Sequence, residues 1–283
     1  MTTATLSSVF QPHKENFGIK DAVFVAIESA SDCITVDNKG LDSHKCSMQH
    51  YDKTKTAREK GSLISASLIT VDFDALRFDA AASLQVLPGN RHIWPNIPRS
   101  YHLISSPYND ANHLLDIRTL DTQCCLLAQA LTFLKPIRAD YATADYLSSF
   151  NWTEVLSILR LLAKDIGHTW TSRDFYTVIF RSQLNAGVDQ QRLHDLDKTS
   201  HLEAVASGQL LKYWFGKRDE HERNLATCIW RSKEDARLGG LGPNHKRARM
   251  AAKELYNEIK FSTWRLIVDD DAKNVKIEEW KEK

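Results

Sequence analysis

The sequence predicts an α+β fold, organised around one unit that spans about residues 174–269. Segments rich in aromatic and β-branched residues alternate with helical stretches in the order strand–helix–strand–strand–helix–strand, which is the ferredoxin-like arrangement. The strands are also apolar on both sides, and such strands have both faces covered in a folded protein. We therefore expect the second face of this sheet to be covered by the N-terminal half of the chain or by a second subunit.

The first half of the unit is predicted from strand composition and helix-end signals. Phe175–Leu184 (FYTVIFRSQL) has the composition of a strand, and Asp189 is a suitable N-cap for a helix that extends to about Ser207. Gly208 suits the C-terminal cap of that helix. A second strand is predicted over Leu210–Phe215 (LLKYWF).

The second half begins with a charged turn over residues 217–223, which predicts a hairpin with a third strand over Asn224–Trp230. The glycine-rich residues 239–244 end a short helical stretch, and Asn244 is predicted to cap the next helix. A last strand is predicted over Phe261–Val268, before three aspartates. Four apolar residues recur at helical spacing in the helix that Asn244 would cap: Ala248, Ala251, Leu255 and Ile259.

Alternation along the strands assigns apolar side chains to two opposite faces. In the first strand, Tyr176, Val178 and Phe180 oppose Phe175, Thr177 and Ile179. In the second strand, Leu211, Tyr213 and Phe215 oppose Leu210 and Trp214.

The remainder is predicted as a weakly structured segment over residues 1–61 and an α/β half over 62–172, packed on the ferredoxin-like half over 173–283. The first segment has one candidate strand, 21–29, and a polar loop, 33–60. In the α/β half, we expect strands over 62–73 and 81–87, a proline-rich loop over 88–98 and an extended stretch over 101–106. A buried helix capped by Asp121 is predicted from Thr122 to Leu134. Thr153 is predicted to cap a further helix, whose core stripe consists of Val155, Leu156, Leu159, Leu162 and Ala163.

Composition argues against several classes of partner. The 283 residues include 37 basic and 36 acidic residues, so no net charge favours nucleic acid or an anionic membrane. No apolar run approaches the roughly 18–20 residues of a membrane helix, and the first residues lack the features of a secretion signal. The five cysteines lack the paired spacing that is typical of metal sites, and we expect them to be reduced thiols. The prediction is a cytoplasmic or nuclear protein.

Motifs for common cofactors are missing. The sequence has no GxGxxG, no Walker loop, no GxSxG and no HExxH, and we predict no cofactor and no metal. His44 and His50 flank Cys46, but chance explains this grouping better than a metal site, because no further ligand is clustered with them.

Five segments resemble the fungal family UPF0643: HLLDIRTLD (113–121), DYATADYLSSFNW (140–152), LLKYWFG (210–216), NLATCIWRSKEDA (224–236) and GPNHKRARMAA (242–252). This resemblance covers about residues 113–280 and implies lineage without implying a reaction. The final third resembles, more loosely, the dimeric α+β barrel proteins. That superfamily includes cofactor-free monooxygenases, polyketide cyclases and haem-degrading enzymes, so the resemblance implies a fold and only a broad range of chemistry.

His245 is the strongest catalytic candidate in the sequence. It follows Gly242-Pro243 at the first turn of a predicted helix, where a neutral imidazole suits a base or a hydrogen-bond donor. The alternative is that His245 only occupies the start of the helix.

Arg231 is the second catalytic candidate, because it follows a central strand and could bind a carboxylate or an enolate. The alternative pairs Arg231 with Glu234 or Asp235, while Ser232 caps a short helix. Four aromatic residues are candidates for a substrate pocket, although aromatic residues on strands usually serve only packing: Trp230, Tyr213, Trp214 and Tyr176.

Two functional hypotheses remain open. In the first, the protein is an enzyme that acts on an apolar, aromatic or polyketide-like small molecule by general acid–base chemistry without a metal. In the second, it is a non-catalytic binding or scaffold protein. In either case the uncovered sheet face predicts a homodimer or an intramolecular pseudo-dimer.

Overall fold

The computed structural model describes residues 63–65, 82–86 and 99–281, which all belong to one compact unit within residues 40–283. The strand predicted over 21–29, the loops over 33–60 and 88–98, and most of the strand over 62–73 lie outside the described residues. The strand predicted over 81–87 is wrong, because residues 82–85 are helical. This stretch is too short for its apolar content to separate a strand from a helix.

Short strand pairs lie before the main sheet. β1 (Leu63–Ile64) pairs with β2 (Arg99–Ser100), and β3 (His102–Leu103) pairs with β4 (Leu115–Asp116), both antiparallel. The extended stretch predicted over 101–106 therefore contains only the two residues of β3 as strand.

Three helices follow: α1 (Thr122–Ala130), α2 (Tyr146–Ser149) and α3 (Trp152–Asp165). Asp121 caps α1 as predicted, since its side chain accepts a hydrogen bond from the backbone N–H of Cys124. The cap predicted for α3 is wrong: Asn151, not Thr153, is its N-cap residue. The predicted core stripe of α3 is buried.

The C-terminal elements are β5 (Arg173–Leu184), α4 (Gln190–Ala206), β6 (Leu210–Phe215), β7 (Arg223–Trp230), α5 (Lys233–Gly239), α6 (Pro243–Leu255), β8 (Tyr256–Val268) and β9 (Val275–Glu279). The five strands form one antiparallel sheet in the order β6-β7-β5-β8-β9. The first four strands have the ferredoxin-like order, which confirms the predicted fold. The edge strand β9 was not predicted.

Two predictions about α6 are wrong. Its N-cap residue is Gly242, with Pro243 at the first helical position, and Asn244 lies inside the helix. The helix ends at Leu255, so Ile259 belongs to β8, where it pairs with Ser182 of β5.

A β-bulge changes the predicted faces of β6. Leu210 pairs with Trp230 and Lys212 pairs with the adjacent Ile229, so Leu211 is the extra residue. As a result, Leu210 packs in the same cluster as Tyr213, and Leu211 packs in the other cluster. The alternation predicted for these two leucines is therefore reversed.

The two faces of the sheet pack against different parts of the chain. One face, which includes Phe175, Ile179 and Ile229, shares a single apolar core with α1 and α3. The opposite face carries a smaller apolar cluster together with Ala204 of α4. The prediction that the N-terminal half packs on the ferredoxin-like unit is confirmed, and it is this half that covers the second face. Within the described part of the chain, no helix combines the length and apolarity required to span a bilayer.

Candidate functional site

A carboxylate on α4 lies at the centre of the candidate site. Asp197 accepts hydrogen bonds from two phenols: the hydroxyl of Tyr108 donates to Oδ2, and the hydroxyl of Tyr213 donates to Oδ1 at 2.6 Å. Tyr213 is on β6, while Tyr108 is on the segment that follows β3. The backbone N–H of Tyr213 donates to the carbonyl of Ser105 at 2.9 Å, which holds that segment beside β6.

Burial raises the pKa of Asp197 and of the tyrosines near it. Burial raises the pKa of Asp197 above its usual 3.8, although the two phenol hydrogen bonds lower it. Burial and the nearby Asp197 charge raise the pKa of Tyr108 and of Tyr213, and they raise that of Tyr256 to about 12. The phenols therefore keep their protons at neutral pH and remain donors to Asp197.

A pair of histidines lies next to this network. His201 is one turn after Asp197 on α4, and its Nδ1 is 2.8 Å from Nδ1 of His113. The two rings stack with centroids 5.0 Å apart. Burial, with smaller contributions from His113 and His245, lowers the pKa of His201 to about 3, and burial also lowers the pKa of His113. Both imidazoles are consequently neutral at pH 7.

The outer nitrogen of His201 makes no hydrogen bond within the described part of the chain. His201 is only 4% exposed, and its Nε2 is buried without a hydrogen-bond partner among the described residues. The hydroxyl oxygens of Ser105 and Ser200 are likewise buried without a hydrogen-bond partner among the described residues. Buried polar atoms without partners are costly and uncommon in native proteins. A ligand or a water molecule could supply the missing partner of His201 Nε2.

An apolar surface adjoins the polar network. The cluster that contains Tyr108 and Tyr213 continues across the sheet, and four sheet residues packed against it are only partly buried: Val178, Phe215, Ala226 and Cys228. The Asp197 charge acts on Cys228 and, after burial, is a further cause of its raised pKa. The polar network and the apolar strip are therefore neighbours.

The predicted aromatic residues separate into two groups. Tyr213 bonds Asp197 directly, and Tyr176 and Trp230 belong to the same cluster. Trp214 is on the opposite face, where its ring meets Phe150 edge-on at 5.0 Å. Trp214 therefore does not line a pocket with the other three, because neighbouring residues of a strand point to opposite faces.

His245 is placed by a carboxylate from another helix. Glu203 of α4 accepts the backbone N–H groups of Asn244 at 2.6 Å and of His245 at 3.0 Å, and it lies 2.9 Å from His245 Nδ1. Glu203 thus supplies the cap that Gly242 cannot provide. The side chain of His245 is 26% exposed and acts electrostatically on Asp197. It borders the network without a hydrogen bond to Asp197.

Arg231 forms an ion pair with the carboxylate of Asp235. Its Nε and Nη2 donate to the two oxygens of Asp235 at 2.9 and 2.8 Å, and Ser232 caps α5. Further electrostatic interactions join it to Asp121 and Cys124, which belong to the start of α1. The ion pair with Asp235 and the cap by Ser232 are the contacts that the alternative interpretation of Arg231 predicted, and its charged neighbours differ from those of His245.

Sequence reasoning missed the centre of the site. Asp197 and His201 are one turn apart, and with His194 they form an i, i+3, i+7 series on one face of α4, a local signal that could have identified them. Tyr108 and His113 reach this face from 89 and 88 residues away in the sequence, and no local pattern signals such contacts.

Among the described residues, no three His, Cys, Asp or Glu side chains are grouped as metal ligands.

Comparisons with known proteins concern the region that contains this site. The family model described as PB2B2.08-like matches residues 104–279. The UPF0643 protein PB2B2.08 of Schizosaccharomyces pombe is 38% identical over 171 residues, which cover 58% of this chain and 78% of that protein.

Among solved structures, a putative antibiotic biosynthesis monooxygenase from Nitrosomonas europaea is 11% identical, with a TM-score of 0.29 over 31% of this chain and 86% of that one. The Pseudomonas aeruginosa protein PA3566 is 15% identical, with a TM-score of 0.28 over 32% of this chain and 92% of that one. The family match spans most of the chain, whereas these two likenesses are confined to about a third of it. The chain belongs to the PB2B2.08-like family, UPF0643.

Proposed function

We propose that the protein is a small-molecule enzyme that uses general acid–base chemistry on an aromatic or polyketide-like substrate, with Asp197 and His201 as the proton-transferring groups. The observation that carries this proposal is the buried Nε2 of His201, which has no partner in residues 99–281 or the other described segments and lies one turn from a carboxylate held by two phenols. A purely structural network would be expected to satisfy its own polar atoms.

Asp197 fits the role of a general base. A raised pKa brings a carboxylate closer to the working pH, where proton transfer in both directions is efficient. Asp197 would take a proton from a carbon beside a carbonyl group, so that a C–H bond breaks while an O–H bond forms on the carboxylate. Return of that proton at another carbon completes an isomerisation, and attack of the enolate carbon on a second carbonyl, whose oxygen takes the proton back from Asp197, completes a cyclisation.

The surroundings support an aromatic substrate. Partly buried apolar side chains on β5, β6 and β7 lie beside the network, and they would gain from being covered by a flat apolar ligand. Tyr176, Tyr213 and Trp230 would pack around that ligand, and His245, fixed by Glu203, would bound the polar side of the site.

Solvent hydrogen exchange tests this function without a known substrate. A set of aromatic and polyketide-like ketones is incubated with the full-length protein in D2O, and the loss of α-proton NMR signal is followed. We expect catalysed exchange with some of these ketones, abolished in Asp197→Asn. Asp195→Asn is the matched control, because Asp195 is exposed and lies on the same helix. Equal exchange by Asp197→Asn and wild type, or none by wild type across the set, would contradict the proposal.

A non-catalytic function is favoured by a different observation. Three contacts fasten residues 108–113 to α4: Tyr108 with Asp197, Lys198 with Asp110 at 2.6 Å, and His113 with His201. If these contacts serve only to hold the segment, Asp197→Asn lowers stability while the wild type neither binds nor exchanges the ketones.

A further inference from the structure

We infer that His113 holds His201 in the Nδ1–H tautomer, so that His201 presents the bare lone pair of Nε2 to a hydroxyl donor of the substrate, such as a phenol or an enol. This inference rests on the proposed function for its ligand, but its first step concerns the chain's own residues. His113 is thus a positioning residue, and the group that the site would bind is a hydroxyl donor.

The first step follows from the 2.8 Å separation of the two Nδ1 atoms. A neutral imidazole carries one N–H, and its other nitrogen is an acceptor. Two Nδ1 atoms form a hydrogen bond only if one donates and the other accepts. Because both rings are buried and held neutral, His113 and His201 must be opposite tautomers.

His201 is the donor in this hydrogen bond. Nε2 of His201 is buried without a partner among the described residues, whereas Nε2 of His113 does not share that condition. An orphaned buried N–H is rarer in native proteins than an under-satisfied acceptor. The lower cost is reached when His201 carries its proton on Nδ1 and leaves Nε2 as a lone pair. His113 then carries its proton on Nε2, and Asp110 acts electrostatically on this ring.

The surroundings of the His201 lone pair favour a hydroxyl group as its partner. The rings of Tyr108 and Tyr213 lie 5.2 and 5.5 Å from the ring of His201, so the surroundings are aromatic. A carboxylate or a phosphate would bring a negative charge towards a lone pair and towards Asp197, without a proton to share. A hydroxyl on an aromatic ring or an enol donates to Nε2 and leaves its carbon skeleton to the apolar strip.

Nitrogen-15 NMR of the full-length protein, labelled in the histidine rings, tests the tautomer directly. We expect His201 to show a protonated Nδ1 and an unprotonated Nε2 at pH 7. His113→Asn keeps an acceptor oxygen and should preserve this state, whereas His113→Phe should release His201 into a mixture of tautomers. A protonated Nε2 in wild type, or a tautomer that is the same in His113→Phe, overturns the inference.

The ligand class is tested with a matched pair of probes, 1-naphthol and 1-methoxynaphthalene, which differ in the hydroxyl proton. We expect 1-naphthol to move the His201 Nε2 signal and 1-methoxynaphthalene to bind about tenfold more weakly. Equal binding of the two probes, or binding of neither, overturns the hydroxyl class. Failure of ketone exchange with the expected tautomer would contradict the proposed function, whereas exchange with the reverse tautomer would contradict only this inference.

Discussion

At the scale of the residue, two side chains on one face of α4 define the site. Asp197 is a carboxylate whose negative charge is stabilised by two phenol donors, and His201 is an imidazole that the fold keeps neutral. Each arrangement has a cost, since burial disfavours the ionised form of the carboxylate and of the imidazole. Both costs should have measurable effects on the free energy of unfolding.

His201 should make the protein less stable in mild acid. Its pKa is 6.5 when exposed and about 3 in the folded protein, so the unfolded chain binds the extra proton first. The contribution of neutral His201 is complete above pH 6.5 and is lost as the pH falls from 6.5 towards 3, by up to about 1.4 kcal/mol per pH unit. Urea unfolding at pH 7.5, 6 and 5 measures this slope. A His201→Gln variant with the same slope as wild type would contradict the assignment.

The phenol donors should stabilise the folded protein through Asp197. Tyr213→Phe removes one of the two hydrogen bonds to a partly buried carboxylate, and the expected loss of unfolding free energy is about 1–3 kcal/mol. Chemical denaturation at pH 7 checks this value. Tyr101→Phe is the control, because it leaves the Asp197 network intact; a loss as large as that of Tyr213→Phe would mean that the network has no special role.

At the scale of the element, a side chain of α4 stabilises the start of another helix, α6. Its Glu203 carboxylate caps α6, a task that the sequence suggested for Asn244. Such a cap comes from a residue 41 positions away, and local pattern cannot identify it. The same reason explains the reversed faces of Leu210 and Leu211, because a β-bulge is set by how β6 and β7 align.

Loss of this cap should destabilise α6. Glu203→Ala leaves the first backbone N–H groups of the helix without their acceptor, and the expected cost is about 1–2 kcal/mol. Thermal and urea unfolding measure it. Glu254→Ala is the matched control, because that carboxylate is exposed and makes only a surface ion pair with Arg192, worth about 0–1 kcal/mol. Equal effects of the two variants would rule out a capping role for Glu203.

Local signals predicted most of the elements correctly. Asp121 and Asp189 cap the helices that they were expected to cap, and Leu210–Phe215 is a strand with the predicted bounds. These predictions succeeded because caps and strand composition act over a few residues. The site depends instead on Tyr108 and His113, which reach α4 only after the chain has folded. This is why the sequence indicated the helix and not the network.

At the scale of the whole molecule, the N-terminal helices cover the sheet face that would otherwise need a partner. Phe175, Ile179 and Leu266 share one core with α1 and α3. A second subunit is therefore not needed on this face. The prediction of a homodimer stays open for other surfaces.

Light scattering of the full chain should consequently give a monomer near its mass of 32.2 kDa at micromolar concentration. The physical reason is that the largest apolar face of the sheet is already buried within the chain. A stable species of twice that mass would show that another surface associates, and it would contradict the expectation that coverage within the chain is sufficient.

The most direct test of the acid–base site is the pH dependence of ketone α-proton exchange, measured for wild type, Asp197→Asn and Asp195→Asn. We expect the wild-type rate to rise with pH through an ionisation whose pKa lies above the ordinary aspartate value of 3.8, and then to reach a plateau. Asp197→Asn should lower that plateau by about 10²–10⁴-fold, the usual contribution of a positioned base, while Asp195→Asn matches wild type. A plateau that is the same in all three proteins would contradict the assignment of Asp197 as the base.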